Sequence, residues 1–192
     1  MPHLRDTLQA LALSPTLHAP LDRFAALFLR WNRSINLSAA RTHAEVLEHI
    51  VDSLHIVPHL TGAARILDVG AGGGLPSVIA AICLPDSHIT ALEPVHKKHA
   101  FLRTAARELA LPNLEPLAIR LDDHAPADYD AATSRATFDL RDWLLAGVAR
   151  VRPAGIALGF EAVPRGDLPA GTQRHPYRLA DKARAIVSLE RP

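Results

Sequence analysis

Cysteine is almost absent from this sequence. The single cysteine, Cys83, lies inside an apolar run, so no internal disulfide can form and no cluster of thiolates can hold a metal. The 11 histidines are scattered without the spacing of a metal site. We therefore expect no bound metal, and we interpret Cys83 as a small buried hydrophobic residue.

Long hydrophobic runs are also missing. The longest uncharged stretch covers residues 69–85, and its 17 residues include four glycines and two prolines. Such a stretch is too short and too broken to cross a bilayer. The N-terminus reaches Asp6 early and lacks the apolar core of a secretory signal. These absences predict a cytoplasmic protein with no membrane partner.

Lysine is scarce as well, because only Lys97, Lys98 and Lys182 are lysines among 21 basic residues. Arginine suits phosphate and carboxylate groups, but a compositional bias of the genome explains the excess equally well. The net charge is only +1, so any basic surface for a nucleic acid must be local. With 192 residues, 48% of them hydrophobic, the chain is long enough for one globular unit and a small extension.

The first third of the chain is predicted to be helical. Apolar residues follow helical spacing over 21–31 and again over about 46–54. The polar segment Trp31–Arg41 between them is predicted to be a connection, and Gly62 closes the section. We expect residues 1–62 to form a helical cap packed on a core of residues 63–192, as one structural unit.

From Ala64 onward, short apolar segments alternate with helical ones. Strands are predicted at 66–69, 88–93, 114–119, 129–133 and 156–160, and helices at 75–84, 95–109 and 138–151. Residues 174–179 and 184–190 are predicted to form an antiparallel pair. Repeated strand–helix units indicate an α/β fold with a mostly parallel sheet covered on both faces.

The stretch DVGAGGGLP follows the first predicted strand and is rich in glycine. Gly70, Gly72 and Gly74 allow a ligand to approach the backbone closely. The sixth position from Gly70 is Leu75, so the dinucleotide pattern G-x-G-x-x-G is not met, and the lack of a Lys-Ser/Thr pair excludes a P-loop. Asp68 suits a cationic ligand, such as an amino-acid ammonium group.

Further acidic residues follow the next two strands. Glu93 lies about 20 residues beyond the glycines, where a carboxylate can accept both hydroxyls of a ribose. Leu121 and Asp122 follow the third strand, where an apolar contact and a carboxylate can hold an adenine edge. Amino acid, ribose and adenine together describe S-adenosylmethionine. The alternative is a tight turn beside solvated strand ends, but acids at three successive strand ends favour a ligand.

Five segments carry a resemblance to a known family. They are WNRSINLSAAR, EHIVDSL (Glu48–Leu54), LDVGAGGGLP, ALEPVHKKHAFL (Ala91–Leu102) and SRA (Ser134–Ala136). In this order, over about residues 20–160, they resemble the bacterial small-subunit (16S) ribosomal RNA guanine-N7 methyltransferases, also called the glucose-inhibited division protein B family. The glycine segment alone would indicate only a Rossmann-like methyltransferase.

The resemblance implies a Rossmann-like, seven-stranded sheet with an antiparallel C-terminal strand and an N-terminal helical cap. It implies transfer of a methyl group from S-adenosylmethionine to N7 of a 16S guanine, with S-adenosylhomocysteine as product. The partner would be 16S ribosomal RNA or the small ribosomal subunit, and the enzyme a monomer. Carried over by position, Gly70, Leu75, Leu121 and Asp122 would contact the cofactor, and Arg135 would face the cleft of cofactor and substrate.

The sequence departs from the family pattern in places. Ser77 stands where a glycine is usual, Glu48 stands where a basic residue is usual, and the third departure lies after the fifth strand. The family usually carries a lysine in a segment like ALKG, where this chain has Gly159. Either Arg165 or a neighbour replaces that cation, or the activity on RNA is altered. Two alternatives therefore stay open: a methyltransferase with another RNA or a small-molecule target, and a family member that binds the cofactor with impaired catalysis.

The proposed reaction needs little acid–base chemistry. Guanine N7 is an in-plane lone pair with no proton to remove, so catalysis would come from aligning N7, the methyl carbon and the sulfonium. The product guanine is cationic, and a cation at N7 would oppose the reaction. We therefore expect Arg135 to act by positioning, through a carboxylate, a phosphate or guanine O6.

Five residues are candidates for binding the substrate. His49 and Asp52 are three apart and share a helix face, which either lines the cleft, with Asn36 holding the turn, or only buttresses the cofactor loop. Lys97 and Lys98 belong to a basic run on the helix after the second strand. That run either contacts RNA phosphates or is a solvated helix face.

Overall fold

The computed structural model describes residues 4–125 and 128–192 and contains a seven-stranded sheet. The strands are β1 (Arg65–Val69), β2 (His88–Leu92), β3 (Leu114–Leu117), β4 (Tyr129–Ser134), β5 (Val151–Glu161), β6 (Gln173–Leu179) and β7 (Lys182–Glu190). Their order in the sheet is β3-β2-β1-β4-β5-β7-β6. Pairings are parallel from β3 to β5, and β7 runs antiparallel to both β5 and β6.

This topology confirms the predicted fold class and the predicted antiparallel pair. The order reverses between β1 and β4, and in open parallel sheets ligands bind at the carboxyl ends of the strands beside such a reversal. Helices α5 (Ser77–Cys83), α6 (His96–Glu108) and α7 (Leu140–Val148) connect the parallel strands. Four of the five residues of β1, and likewise of β2, are buried, as expected for strands covered on both faces.

Four helices precede β1: α1 (Leu4–Ala10), α2 (His18–Ile35), α3 (His43–Leu54) and α4 (Val57–Leu60). A 3-10 turn at Pro15–Leu17 leads into α2. Thr42 and Glu45 form a capping box that starts α3. Buried residues of these helices share one hydrophobic core with α5, α6 and the sheet. Residues 1–3 of the predicted cap lie outside the described residues.

The prediction for Trp31–Arg41 is wrong in its first half. Residues 31–35 continue α2, because Trp31 keeps the helical spacing and packs on Phe101 of α6, with ring centroids 5.8 Å apart. The helix ends at Asn36, whose φ of 56° is left-handed, a conformation that asparagine tolerates better than most residues. The short helices α1 and α4 were not predicted. Within the described part of the chain, no helix is long and apolar enough to span a membrane.

Candidate functional site

The glycine turn joins β1 to α5 at the carboxyl edge of the sheet. The N–H groups of Gly70 and Ala71 both donate to the carbonyl of Leu92 at the end of β2, at 2.9 and 3.0 Å. Gly70, Gly72 and Gly74 have positive φ values of 71°, 55° and 78°. A side chain would be strained at each of these three positions.

Packing explains most of the glycines. A Cβ at Gly70 would collide with Thr137, one at Gly73 with the ring of Phe28, and one at Gly74 with Val78. At Gly72 the nearest atom to such a Cβ is a backbone oxygen 3.7 Å away. The protein itself therefore fills the space at three of the four glycines, and Gly72 alone leaves room for a bound group. Contacts of Gly70, Gly74 and the buried Leu75 with a cofactor stay predictions.

Glu93 directly follows β2 and fixes the glycine turn. One carboxylate oxygen accepts the N–H of Gly72 at 2.8 Å, and the other accepts the N–H of Val95 at 2.8 Å. Only 4% of Glu93 is exposed, so these bonds hold its carboxylate in one orientation. Each oxygen keeps a second lone pair. The arrangement therefore fits the predicted role of accepting two ribose hydroxyls.

Asp68 is buried behind the turn, with 1% of its surface exposed. Its Oδ2 accepts the N–H of Ser77 at 3.0 Å, whereas its Oδ1 has no hydrogen-bond partner among the described residues. Burial raises the pKa of Asp68 from 3.8 to about 7, although hydrogen bonding by Ser77 and, to a smaller extent, the charge of Arg135 act in the opposite direction. An unsatisfied buried carboxylate oxygen fits a ligand that brings a cationic donor.

A cavity of about 240 Å³ opens beside the turn, between the ends of β1 and β2. Leu121 and Asp122 line it, as the sequence predicted for an adenine pocket, together with Pro94, Thr137 and Phe138. The last three were not predicted. Phe138 is 46% exposed and stacks on Trp143 with ring centroids 5.9 Å apart, so an aromatic face is held at the cavity.

Arg135 follows β4 and does not project freely into the cleft. Its Nη1 donates to Asp52 Oδ2 at 2.9 Å, and the guanidinium lies over the ring of Phe160. The other carboxylate oxygen of Asp52 accepts the hydroxyl of Tyr177 at 2.8 Å, and Arg184 Nε lies 4.0 Å from it. We call Asp52, Arg135, Tyr177 and Arg184 the Asp52 cluster. It joins α3 to the ends of β4, β6 and β7.

The two interpretations of His49 and Asp52 can now be separated in part. Asp52 is 8% exposed and both its oxygens bind protein groups, which favours the buttress. His49 is half-buried, and burial, followed by the charge of Arg135, lowers the pKa of its imidazole. Substrate contacts of either residue stay predictions.

The hydrogen bonds that hold the turn after α2 come from Asn32, not from Asn36. The buried amide of Asn32 donates to the carbonyls of Ser38 and Ala40, at 3.1 and 2.6 Å, and accepts the N–H of Ser38 at 2.8 Å. Asn36 is exposed at the helix end. Its proposed contact with substrate therefore does not depend on holding the turn.

Lys97 and Lys98 lie in the first turn of α6, just beyond Glu93 and therefore at the same edge of the sheet. Lys97 is exposed and Lys98 half-buried. Their position suits either a phosphate contact or a solvated helix face. Among the described residues, no group of three or more histidine, cysteine, aspartate or glutamate side chains is arranged to hold a metal ion.

The cation missing at Gly159 is not replaced by Arg165. Arg165 binds Asp139 and, through two nitrogens, Asp167, so its guanidinium is already engaged by carboxylates. Gly159 lies near the end of β5, paired with Ser134. A Cβ there would meet the tip of the Leu140 side chain of α7, so a lysine stem would require that side chain to shift.

The predicted contact of Asp68 with the ammonium group can be tested by changing the pH, because the contact depends on the protonation state of the Asp68 carboxyl. A carboxyl with a pKa of about 7 must lose its proton before it can accept an ammonium group, so affinity for S-adenosylmethionine should fall as the pH falls. We expect binding about eightfold weaker at pH 6 than at pH 7.5, measured by calorimetry. In Asp68→Asn, binding should be weak at both pH values. The same pH dependence in that variant would show that another group titrates.

Comparison with known proteins agrees with this geometry. Residues 17–162 match the family model described as rRNA small subunit methyltransferase G. The ribosomal RNA small subunit methyltransferase G of Aromatoleum aromaticum is 38% identical over an alignment of 196 positions, gaps included. This alignment covers 94% of this chain and 93% of that protein. Its counterpart in Burkholderia pseudomallei (strain 1106a) is 40% identical over 214 residues, covering 97% and 92%.

Solved structures agree on the fold. The O-methyltransferase TomG from Streptomyces achromogenes, solved in complex with S-adenosylmethionine, superimposes with a TM-score of 0.64. The superposition includes 98% of this chain and 96% of TomG, at 17% sequence identity. A likeness at this identity shows the fold alone. The family model and the two relatives each match most of the chain, and these matches show the family as well as the fold. The chain belongs to the rRNA small subunit methyltransferase G family, also called GidB.

Proposed function

We propose that the protein transfers a methyl group from S-adenosylmethionine to N7 of a guanine in 16S ribosomal RNA. The observation that carries this proposal is the placement of three acids at the carboxyl edge of the sheet. Asp68 lies in β1 just before the glycine turn, Glu93 directly follows β2 and binds that turn, and Asp122 lines the adjacent cavity. Membership of the family supports a small-subunit ribosomal RNA as the substrate.

Three groups would hold the cofactor. Asp68 Oδ1, which has no partner among the described residues, suits the ammonium group. Glu93, held by two backbone N–H groups, suits the ribose hydroxyls, and the cavity lined by Leu121 and Phe138 suits adenine. Bound S-adenosylmethionine supplies an electrophilic methyl group on a sulfonium.

The protein's part in the reaction is to orient the guanine rather than to move a proton. N7 attacks through a lone pair, so no base is required, and positioning alone can supply several kcal/mol. Burial lowers the pKa of His49, which keeps its imidazole neutral at neutral pH. Arg135 is paired with Asp52, so its charge is balanced before a cationic product forms.

The proposal also extends to the setting of the reaction. We propose that residues 1–62 act as a cap on the core of residues 63–192, and the hydrophobic core that the two parts share supports their packing as one structural unit. The protein would act as a monomer in the cytoplasm, on 16S ribosomal RNA or the small subunit. The target base must leave its stack, which costs least in an unpaired loop.

Transfer of a tritiated methyl group tests the reaction. We expect label from S-adenosylmethionine to enter 16S RNA at a single guanine, found by strand cleavage at N7-methylguanine after borohydride and aniline treatment. Small subunits and naked 16S RNA, prepared from a strain that lacks the gene, should be compared as substrates. Absence of label in both, with cofactor binding intact, would contradict the proposal.

Gly159 favours one second candidate. Because Gly159 stands where the family resemblance implies a lysine, and Arg165 is engaged by two aspartates, the second candidate is a protein that binds the cofactor with impaired transfer to RNA. The two candidates differ in turnover, not in cofactor affinity. A methyl-transfer rate on 16S RNA near background, together with normal binding of S-adenosylmethionine, would favour the second.

A further inference from the structure

A second, polar pocket lies where α2 turns into the loop before α3. It has a volume of about 310 Å³. Its lining combines the side chains of two arginines with hydrogen-bonding groups on one helix end and its loop: Arg33, Arg41, Ser34 and Asn36. The cofactor cavity has a different set of lining residues, so the two pockets are separate.

Neither arginine of this pocket forms a direct ion pair with any described residue, although the carboxylate of Glu45 lies near enough to interact with the charge of Arg41. Among the described residues, neither Arg33 nor Arg41 has a carboxylate oxygen within 4.0 Å, whereas Arg30 on the same helix pairs with Glu108 at 2.8 Å. Glu45 comes near through its Oε2, but that oxygen accepts the backbone N–H groups of Arg41 and Thr42 in the capping box.

Arg41 is held in place by the loop itself. Its Nη1 donates to the carbonyls of Ser38 and Ala40, at 3.0 Å each, and no described residue accepts a hydrogen bond from Nη2 or Nε, which can therefore bind a ligand. The carbonyl of Ala40 is in turn fixed by the buried amide of Asn32 at 2.6 Å. A guanidinium oriented in this way loses less conformational freedom when it binds an anion.

The loop also places the pocket close to the reaction centre. A Cβ on Gly73, in the glycine turn, would come within 3.4 Å of Leu37 in the same loop. The loop that carries Arg41 therefore packs directly against the glycine turn. Arginine, serine and asparagine are residue types that commonly contact nucleic-acid phosphates.

We infer that this pocket binds a phosphodiester group of the RNA backbone, next to the guanine that is methylated. The inference rests on the proposed RNA substrate and adds a specific contact surface to it. The contact is independent of sequence, because phosphates position a nucleic acid without reading its bases. It gives the protein a fixed point on the strand outside the cofactor cleft.

Binding of a single-stranded 16S fragment tests the pocket, measured by anisotropy at several salt concentrations with S-adenosylhomocysteine present. We expect the double variant Arg33→Gln/Arg41→Gln to bind about tenfold more weakly at low salt. The slope of log K against log salt should fall by about 0.7 for each lost contact. Arg23→Gln, an exposed arginine about 15 Å earlier on α2, is the matched control and should change neither.

Two further measurements distinguish a lost phosphate contact from a displaced loop and from a site for a free anion. Affinity for S-adenosylhomocysteine should be unchanged in the double variant. If that affinity falls, the loop has moved, and the RNA affinity of the single variant Arg33→Gln then tests the pocket. Inorganic phosphate, titrated by calorimetry, should bind no tighter than millimolar. Saturation at micromolar phosphate would assign the pocket to a free anion and overturn the inference.

The outcomes also distinguish this inference from the proposed function. Equal RNA binding by wild type and the double variant, with 16S methylation intact, would overturn the pocket and leave the function standing. Weakened RNA binding in the double variant, with no 16S guanine methylated by the wild type, would support the pocket and overturn the proposed function. A wild-type protein that binds no RNA would overturn both.

Discussion

Glu93→Ala is expected to weaken binding of S-adenosylmethionine by about 100-fold, which corresponds to about 2.7 kcal/mol. The carboxylate is buried and held by the N–H groups of Gly72 and Val95, so it would accept ribose hydroxyls without first losing conformational freedom. Hydrogen bonds to a charged group contribute about 1.5–3 kcal/mol each. Calorimetry with the purified variant measures the loss directly.

A matched control separates the ribose contact from a general effect of charge. Glu115 lies on the neighbouring strand β3, is exposed and interacts with His88 at 3.1 Å, so Glu115→Ala should leave cofactor affinity unchanged. Glu93→Gln keeps the size of the side chain and should fall between wild type and Glu93→Ala. Unchanged affinity in Glu93→Ala would remove Glu93 from the cofactor site.

The strand ends were predictable because their signal is local. Asp68 and Glu93 each follow a short apolar run, Asp122 comes a few residues after another, and a parallel sheet brings the carboxyl ends of its strands to one edge. Apolar runs and turn residues suffice to find those ends. Neither piece of information requires knowledge of which side chains touch.

The reasons for the glycines were less accessible. Thr137 packs where a side chain at Gly70 would lie, and Phe28 packs where a side chain at Gly73 would lie. Both packing partners are distant in the sequence. The pattern of glycines was visible in the sequence, but it suggested a ligand or a tight turn rather than these packing partners. Thr137 and Phe138 escaped prediction for the same reason, since they reach the cavity only after β4 pairs with β1.

The prediction of a connection that begins at residue 31 was wrong for a different reason. Asn32 interrupts an otherwise helical pattern, and in isolation asparagine favours turns. Its amide is buried on α2 because three backbone groups of the following loop satisfy it. A long-range packing contact, of Trp31 with Phe101, stabilises the same turn of helix. Tertiary contacts therefore override the local preference.

The role of Asp52 depends on contacts that no spacing reveals. Three elements besides its own helix contribute to the Asp52 cluster, and its partners Arg135 and Tyr177 lie 83 and 125 residues further along the chain. The helical spacing of His49 and Asp52 identified a shared face but not what faces it. The structure favours the buttress because the carboxylate of Asp52 is fully engaged by protein groups.

Asp52→Ala is therefore expected to destabilise the fold by about 3–5 kcal/mol, because it leaves the buried charge of Arg135 without its counter-ion. The hydroxyl of Tyr177 and Nε of Arg184, which already has no hydrogen-bond partner among the described residues, would lose the same carboxylate. Urea unfolding followed by circular dichroism measures the change. Tyr177→Phe removes one hydroxyl and should cost about 1–2 kcal/mol.

Asp167→Ala provides the control for this prediction. It also breaks an arginine–aspartate pair, with Arg165, but Asp167 has 50% of its side chain exposed, compared with 11% for Asp52. Exposed pairs contribute at most about 1 kcal/mol, so Asp167→Ala should leave the free energy of unfolding nearly unchanged. If the two aspartate variants lost equal stability, burial of the Asp52 cluster would not be the cause. A loss confined to Asp52→Ala would show that this cluster fastens α3, and with it the loop beside the glycine turn, to the sheet.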